Sequence, residues 1–265
     1  MNLLDKNVLV TGATGGIGLS LVRRLGSAGA RLLLTGRQEQ PLRRLVDELA
    51  AASVRADFVV ADLNTADDRR ALAQAAEKWR GGPDVVIHNA GSNHAGSFQN
   101  LSPAALEAMI TANLTAPMDL TRLLLPGLKS KREATLLFVG SGFGRVAYPG
   151  FAAYSATKFG LRGFAEALRR ELADTTVRVA LLAPRAVDTG MNGSRVRALQ
   201  ADLHMKVDSP DKVADAAINM LETGQTEHGL GWQERLFSRV NGLTPGLVDG
   251  VLRKQLPTIR RRLDH

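Results

Sequence analysis

The sequence predicts one doubly wound α/β domain, a parallel sheet of six to seven strands with helices on both faces. Three observations predict it. Short β-branched apolar runs, the form taken by strands buried on both faces, recur six times; amphipathic helical patterns separate them; and no linker divides the chain. At 265 residues the chain suffices for one large domain or two small ones, and for burying a sizeable core. With 45% hydrophobic and 23% charged residues, disorder is excluded as the main state. The chain has no cysteine, which excludes disulfides, thiolate zinc sites, iron–sulfur clusters and a thiol nucleophile, so any nucleophile is oxygen or nitrogen.

Taken in order, strand-like runs fall at 7–10, 31–35, 57–61, 84–88, 135–140 and 177–183. Helical patterns fall between them at 16–28, 40–52, 67–79, 104–125 and 151–173. Strand-then-helix repetition builds right-handed crossovers, and with them a single parallel sheet. The rhythm then breaks. Segment 185–208 has no strong period but carries Met191, Val196, Leu199, Leu203 and Met205 among polar residues, and reads as a flap. A further helix begins at Ser209-Pro210-Asp211, a serine cap followed by proline at the first helical position. The domain is expected over 1–231. Residues 232–265 form a basic amphipathic extension, interrupted by Pro245, Gly246 and Pro257, that packs on the same domain or on a partner.

The first ten residues carry Asp5 and Lys6 and lack a signal-like apolar segment, and no apolar run of about 18 residues occurs, so no transmembrane segment and a cytoplasmic protein are expected. Thirty-four basic against 26 acidic residues leave a net charge of +8. That excess admits an anionic partner, whether nucleic acid, acidic membrane, acidic carrier protein or phosphorylated ligand, or a merely solvated basic surface. No recognition helix or aromatic stacking motif supports nucleic acid.

Directly after the first strand, Thr11-Gly12-Ala13-Thr14-Gly15-Gly16-Ile17-Gly18 leads into an apolar helix. Glycines there let the backbone bend sharply and approach a pyrophosphate, with the helix N-terminus facing the anion. Placed between strand and helix, the loop reads as a dinucleotide site. At the end of the second strand an NAD site usually offers a carboxylate, but Leu34-Thr35-Gly36-Arg37 offers a guanidinium. Arg37 suits a 2′-phosphate, favouring NADP(H) over NAD(H), unless it only stacks on adenine at the surface.

In Tyr154-Ser155-Ala156-Thr157-Lys158 the phenol and the ammonium, four apart on a helix, share one face. A cation about 4 Å from the phenol, at an effective dielectric near 20, contributes about 4 kcal/mol. That lowers a tyrosine pKa by up to about three units, toward the range of general acid–base catalysis. Ser141, just past the fifth strand, stands at the carboxyl end of the sheet, where ligands bind, and can hydrogen-bond a carbonyl. A Tyr-x-x-x-Lys pair alone is common on helix surfaces.

Together these motifs resemble the short-chain dehydrogenase/reductase family over roughly residues 5–222. The Thr-Gly-x-x-x-Gly-x-Gly loop, Asn89-Ala90-Gly91, Asn113, Ser141 and Tyr154 with Lys158 carry the resemblance. It implies a Rossmann-type fold and an oxidoreductase interconverting a ketone and a secondary alcohol. It further implies Tyr154 as acid or base, Lys158 lowering its pKa and binding the nicotinamide ribose, Ser141 orienting the carbonyl, and Asn113 placing a water in a relay to Lys158. Gly12, Thr14, Gly15, Gly16, Ile17 and Gly18 would then cradle the dinucleotide with Asn89, Ala90 and Gly91. Asp62 and Leu63 would meet adenine, and Pro184, Val187 and Thr189 the carboxamide. No metal is implied.

The chain departs from the family where Arg185 follows Pro184, the usual place of a glycine; it either holds an anionic substrate group or faces solvent. The basic residue that many NADP-preferring members carry inside the loop is absent, since Gly15 stands there, and the glycine-rich seventh strand is not seen. A homodimer or homotetramer is expected, the tetramer put in doubt by the basic extension. Candidate substrate contacts are His94, Phe98, Phe143, Tyr148 and Phe151, with Met191 and the flap, an apolar and aromatic set suggesting a hydrophobic carbonyl. A 3-oxoacyl chain, carrier-bound, or a hydroxysteroid-type ketone are the alternatives; outside the enzyme class stands a non-catalytic dinucleotide sensor. Lys129, Lys131 and Arg132 with Arg169 and Arg170 would attract an acidic carrier. The extension reads as dimer cover, lid, or membrane contact through Trp232, Leu236, Phe237, Arg253, Lys254 and Arg260 to Arg262.

Overall fold

Continuous apolar runs become strands here because helices cover both sheet faces. In the computed structural model, which describes residues 1–263, the strands are β1 (Asn7–Thr11), β2 (Arg31–Gly36), β3 (Ala56–Val60), β4 (Val85–His88), β5 (Ala134–Val139), β6 (Val177–Ala183) and β7 (Glu227–Gly229). All pair parallel, in the order β3-β2-β1-β4-β5-β6-β7. The winding reverses between β1 and β4, and in such sheets the crevice beyond the carboxyl ends at that point receives the ligand.

The helices are α1 (Gly16–Ser27), α2 (Glu39–Ala51), α3 (Ala66–Lys78), α4 (Pro103–Ile110), α5 (Ala116–Lys129), α6 (Ala152–Glu171), α7 (Ser194–Asp202), α8 (Pro210–Thr223), α9 (Trp232–Leu243) and α10 (Pro245–Leu263). Side chains alternate across each strand, so Val8 and Val10 of β1 join α1, α2 and α8 in one core while Leu9 joins α3, α5 and α6 in the other. A third, smaller cluster lies at the carboxyl edge: Phe151, Val196, Leu199, Ile259 and Leu263, with Phe143, Tyr148 and Tyr154 against them.

Three expectations are corrected. The helix expected over 104–125 is two helices joined by a widened π-turn, Thr111–Thr115, which turns Asn113 into the interior. A seventh strand is present after all; Glu-His-Gly is three residues long, and its pairing with β6 supplies what its composition lacks. The flap is partly ordered, its two ends joined by a parallel bridge between Val187 and Asp208 and its middle forming α7. The extension forms α9 and α10. The latter packs on α7 of the same chain, and the two residues that follow it lie outside the described residues. No helix among the described residues is long and apolar enough to cross a membrane.

Candidate active site

The glycine loop is built by close approaches. Gly12 has φ +65°, and a Cβ there would stand 2.8 Å from the Ala90 Cα; at Gly18 a Cβ would collide with the Gly12 carbonyl oxygen. Thr11 Oγ1 accepts from the backbone N–H groups of Asn89 and Ala90, both at 3.0 Å, and Asn89 Nδ2 donates to the carbonyl oxygens of Thr11 and Gly12. Two loops from neighbouring strands are thereby locked together. Gly15 caps α1 with no side-chain hydrogen bond, so the amides of the first turn remain available to a ligand. A loop whose tightest approaches fall at glycines, ending at an uncapped helix N-terminus, fits a dinucleotide pyrophosphate.

A cavity of about 1200 Å³ runs from this loop along the carboxyl ends of the strands. Gly12, Thr14, Gly15, Gly16, Ile17, Gly18, Arg37, Asp62, Leu63, Asn89, Ala90, Gly91, Ser141, Tyr154, Lys158, Pro184, Val187 and Thr189 all line it. Arg37 is exposed and makes no ion pair among the described residues. Asp62 Oδ1 already accepts from the Asn64 amide at 3.0 Å. Asn113 stands behind the wall, 1% exposed. Its Oδ1 accepts from Ser92 N at 2.8 Å, while its Nδ2 donates to Ser92 O and Thr157 Oγ1. Asn113 Oδ1 and Lys158 Nζ flank Gly91, 2.8 and 3.8 Å from where its Cβ would be.

Tyr154 and Lys158 share a helical face as their spacing requires, but the electrostatics differ from expectation. Lys158 Nζ donates to the Val139 carbonyl oxygen at 3.0 Å and lies 5.7 Å from the Tyr154 ring centroid. Burial raises the phenol above its usual value of 10, and the hydrogen bond with Ser141 opposes that rise. Burial also lowers Lys158 to about 8. The group that pulls the tyrosine down in this geometry is the serine rather than the lysine. Ser141 Oγ additionally accepts from Phe143 N at 3.1 Å, which fixes the hydroxyl at the strand end.

Arg185 neither faces solvent nor reaches free into the cavity. Its Nε and Nη2 bond the two oxygens of Asp208, both at 2.8 Å, and its Nη1 reaches Glu234 Oε1 at 3.3 Å. Lys212 Nζ adds a third donor to Asp208 at 2.8 Å. Burial pushes the Asp208 carboxyl up, but the hydrogen bonds from Arg185 and Lys212 outweigh it and hold the group below the usual range. This network ties both ends of the flap to α8 and α9.

Of the expected substrate contacts, Phe143, Tyr148, Phe151 and Met191 line the cavity; His94 and Phe98 do not, and Phe98 is exposed. Phe143 stacks on Tyr148 at 5.1 Å and meets Tyr154 edge-on at 6.3 Å. Tyr148 is pinned by its hydroxyl, which donates to Gln255 Oε1 of α10 at 2.6 Å. Sequence reasoning offered the flap as a whole, of which Gln200, His204 and Lys206 line the wall, and missed Gln233, Arg235 and Phe237, which complete it. They sit on or beside α7 and α9, whose docking no local pattern encodes. The basic clusters expected to attract a carrier are misplaced for it: Lys129 and Lys131 precede β5, and Arg169 and Arg170 precede β6, at the end of the sheet opposite the cavity. Lys131 is held by the carbonyl oxygens of Gly81 and Gly82, and Arg170 by Glu166.

Fold and site together define a dinucleotide-dependent oxidoreductase: a parallel sheet wound from its switch point, a phosphate cradle there, and a serine–tyrosine pair at the far end of the same cavity. A model of the short chain dehydrogenase family matches residues 6–200, and the chain belongs to that family. It is 32% identical over 259 residues to the ketoacyl reductase HetN of a Nostoc species, covering 95% of this chain and 89% of that protein. Among solved structures it is similar to a metagenomic short-chain oxidoreductase in complex with NADP, with 32% identity, TM-score 0.71, and 83% and 91% of the two chains covered. A single-substitution variant of the actinorhodin polyketide ketoreductase, solved with NADPH, is 28% identical, with TM-score 0.78, over 85% and 95% of the chains. The protein is an NAD(P)-dependent oxidoreductase.

Proposed function

We propose that the enzyme reduces an apolar ketone to a secondary alcohol with NADPH, Tyr154 supplying the proton. The observation that carries this is that Ser141, Tyr154 and Lys158 line the same cavity as the phosphate cradle. When bound, NADPH supplies the hydride that reduces the carbonyl carbon. Ser141, held by Phe143 N, orients the carbonyl oxygen. The Tyr154 phenol, protonated at neutral pH because burial raises it, donates its proton to the developing alkoxide. Lys158, its ammonium between Val139 O and the Tyr154 ring, holds positive charge beside the phenolate that remains. Phe143, Tyr148 and Phe151 exclude water from the reacting carbonyl.

Arg37 supports the preference for NADP: an exposed cation without an ion pair at the end of β2 suits a 2′-phosphate, and a carboxylate is absent there. A 3-oxoacyl chain is the substrate favoured within this reading, since two of the three relatives named above are a ketoacyl and a polyketide reductase and the wall beside Tyr154 is aromatic. The test is NADPH consumption on a panel of 3-oxoacyl thioesters and alicyclic ketones by the wild type and Tyr154→Phe. The variant is expected to lose at least about a hundredfold in kcat, the usual worth of a positioned acid, while NADPH binding persists. Retained turnover would reject Tyr154 as the acid.

A further inference from the structure

Five of the exposed large apolar side chains belong to the last two helices. Trp232 (64% exposed), Leu236, Leu243 (84%), Leu247 and Val251 all stand in solvent on α9 and α10. α9 buries none of its residues. Trp232, Leu236, Arg239 and Leu243 recur at i, i+4, i+7 and i+11, a single stripe, while Gln233, Glu234 and Phe237 turn to the cavity. α10 docks Val248, Leu252 and Ile259 on its own chain and leaves Leu247, Val251 and Lys254, at i, i+4 and i+7, outside.

Charge decides what this face suits. Residues 232–263 hold seven basic side chains against two acidic ones. Glu234 is committed to Arg185, whereas Arg239, Arg253, Lys254 and Arg260 make no ion pair among the described residues. A second copy of the same face would set like charges against each other. An anionic bilayer offers acyl chains to the apolar stripes and phosphates to the cations. We propose that α9 and α10 form a docking surface for an anionic lipid bilayer, lying in its headgroup layer. Neither helix is long and apolar enough to cross, and Gly242, Pro245 and Gly246 mark the corner between them.

The experiment is co-sedimentation of the full-length protein with phosphatidylcholine vesicles, alone or with about 30% phosphatidylserine, an anionic content that draws basic segments to the surface. The wild type is expected to partition at least about tenfold more strongly onto the anionic vesicles, and its Trp232 emission to shift to the blue against Trp232→Phe. Leu236→Glu with Leu247→Glu, and separately Arg253→Ala with Lys254→Ala, should each lose most of that difference while NADPH still binds with unchanged affinity, showing the fold intact. Equal partitioning onto both vesicles, or none, overturns the proposal. So does light scattering in which the glutamate variant merely dissociates a larger assembly without altering vesicle binding, since that would assign the face to a second copy.

Discussion

Replacing Lys158 with methionine should make the protein more stable at neutral pH while removing its catalysis. The lysine is 6% exposed, and burial lowers its pKa from 10.5 to about 8. At pH 7 both folded and unfolded chains carry this ammonium, so the native state bears its desolvation in full. At 1.36 kcal/mol per unit, the fall from 10.5 to about 8 corresponds to about 3 kcal/mol. Methionine fills a similar volume without charge but abandons the Val139 carbonyl oxygen, which offsets about 1 kcal/mol. The variant should therefore gain about 2 kcal/mol at pH 7. Between pH 8 and 10.5 the unfolded lysine binds more protons than the folded one, so wild-type stability rises with pH relative to the variant. Urea denaturation of both proteins without cofactor, at steps from pH 7 to about pH 11, past the unfolded lysine's ordinary pKa, measures the gap. It should close by pH 10 and then reverse. A gap absent at pH 7, or constant with pH, would refute the reasoning that this site stores an unfavourable charge.

The serine–tyrosine bond makes a second test. Ser141→Ala removes the contact that lowers the Tyr154 pKa, so the pKa should rise. Alcohol oxidation, which needs the phenolate, should then gain rate only at higher pH, and ketone reduction should hold its plateau further into alkali; pH profiles that coincide with the wild type would count against it. Arg37→Ala should weaken NADPH roughly tenfold to a hundredfold, the worth of one or two charge-assisted bonds, and leave NADH unchanged in a fluorescence titration. Arg185→Ala leaves the buried Asp208 with Lys212 alone, costs about 2 kcal/mol, and should raise KM and quicken proteolysis within 190–206.

Legibility followed sequence distance. The central strands show in the sequence because burial on both faces forces apolar runs, and the phosphate cradle shows because Gly12 and Gly18 answer to backbone crowding that permits no other residue. Tyr154 and Lys158 were placed on one face by helical period alone. What that period does not contain is the acceptor Lys158 chooses, which belongs to β5. β7 was hidden because its strand character comes from β6, and the π-turn around Asn113 because its residues also suit an α-helix. Arg185 was readable as unusual but not as paired, since Asp208 and Glu234 lie 23 and 49 residues away. The candidate substrate wall was half-read for the same reason: its aromatic residues lie near Tyr154, while the rest arrives on helices from further along the chain.

The docking of α10 carries a consequence for how the molecule comes into being. Leu263 closes on Gly150, so tightly that a Cβ there would stand 2.5 Å from its Cδ1, and its carbonyl oxygen accepts from Arg195. The loop leading into the tyrosine helix thus receives its cover from a segment more than a hundred residues later in order of synthesis. A nascent chain can assemble its nucleotide half early, yet the apolar cluster around Phe151, against which Tyr154 packs, stays incomplete until that late helix arrives.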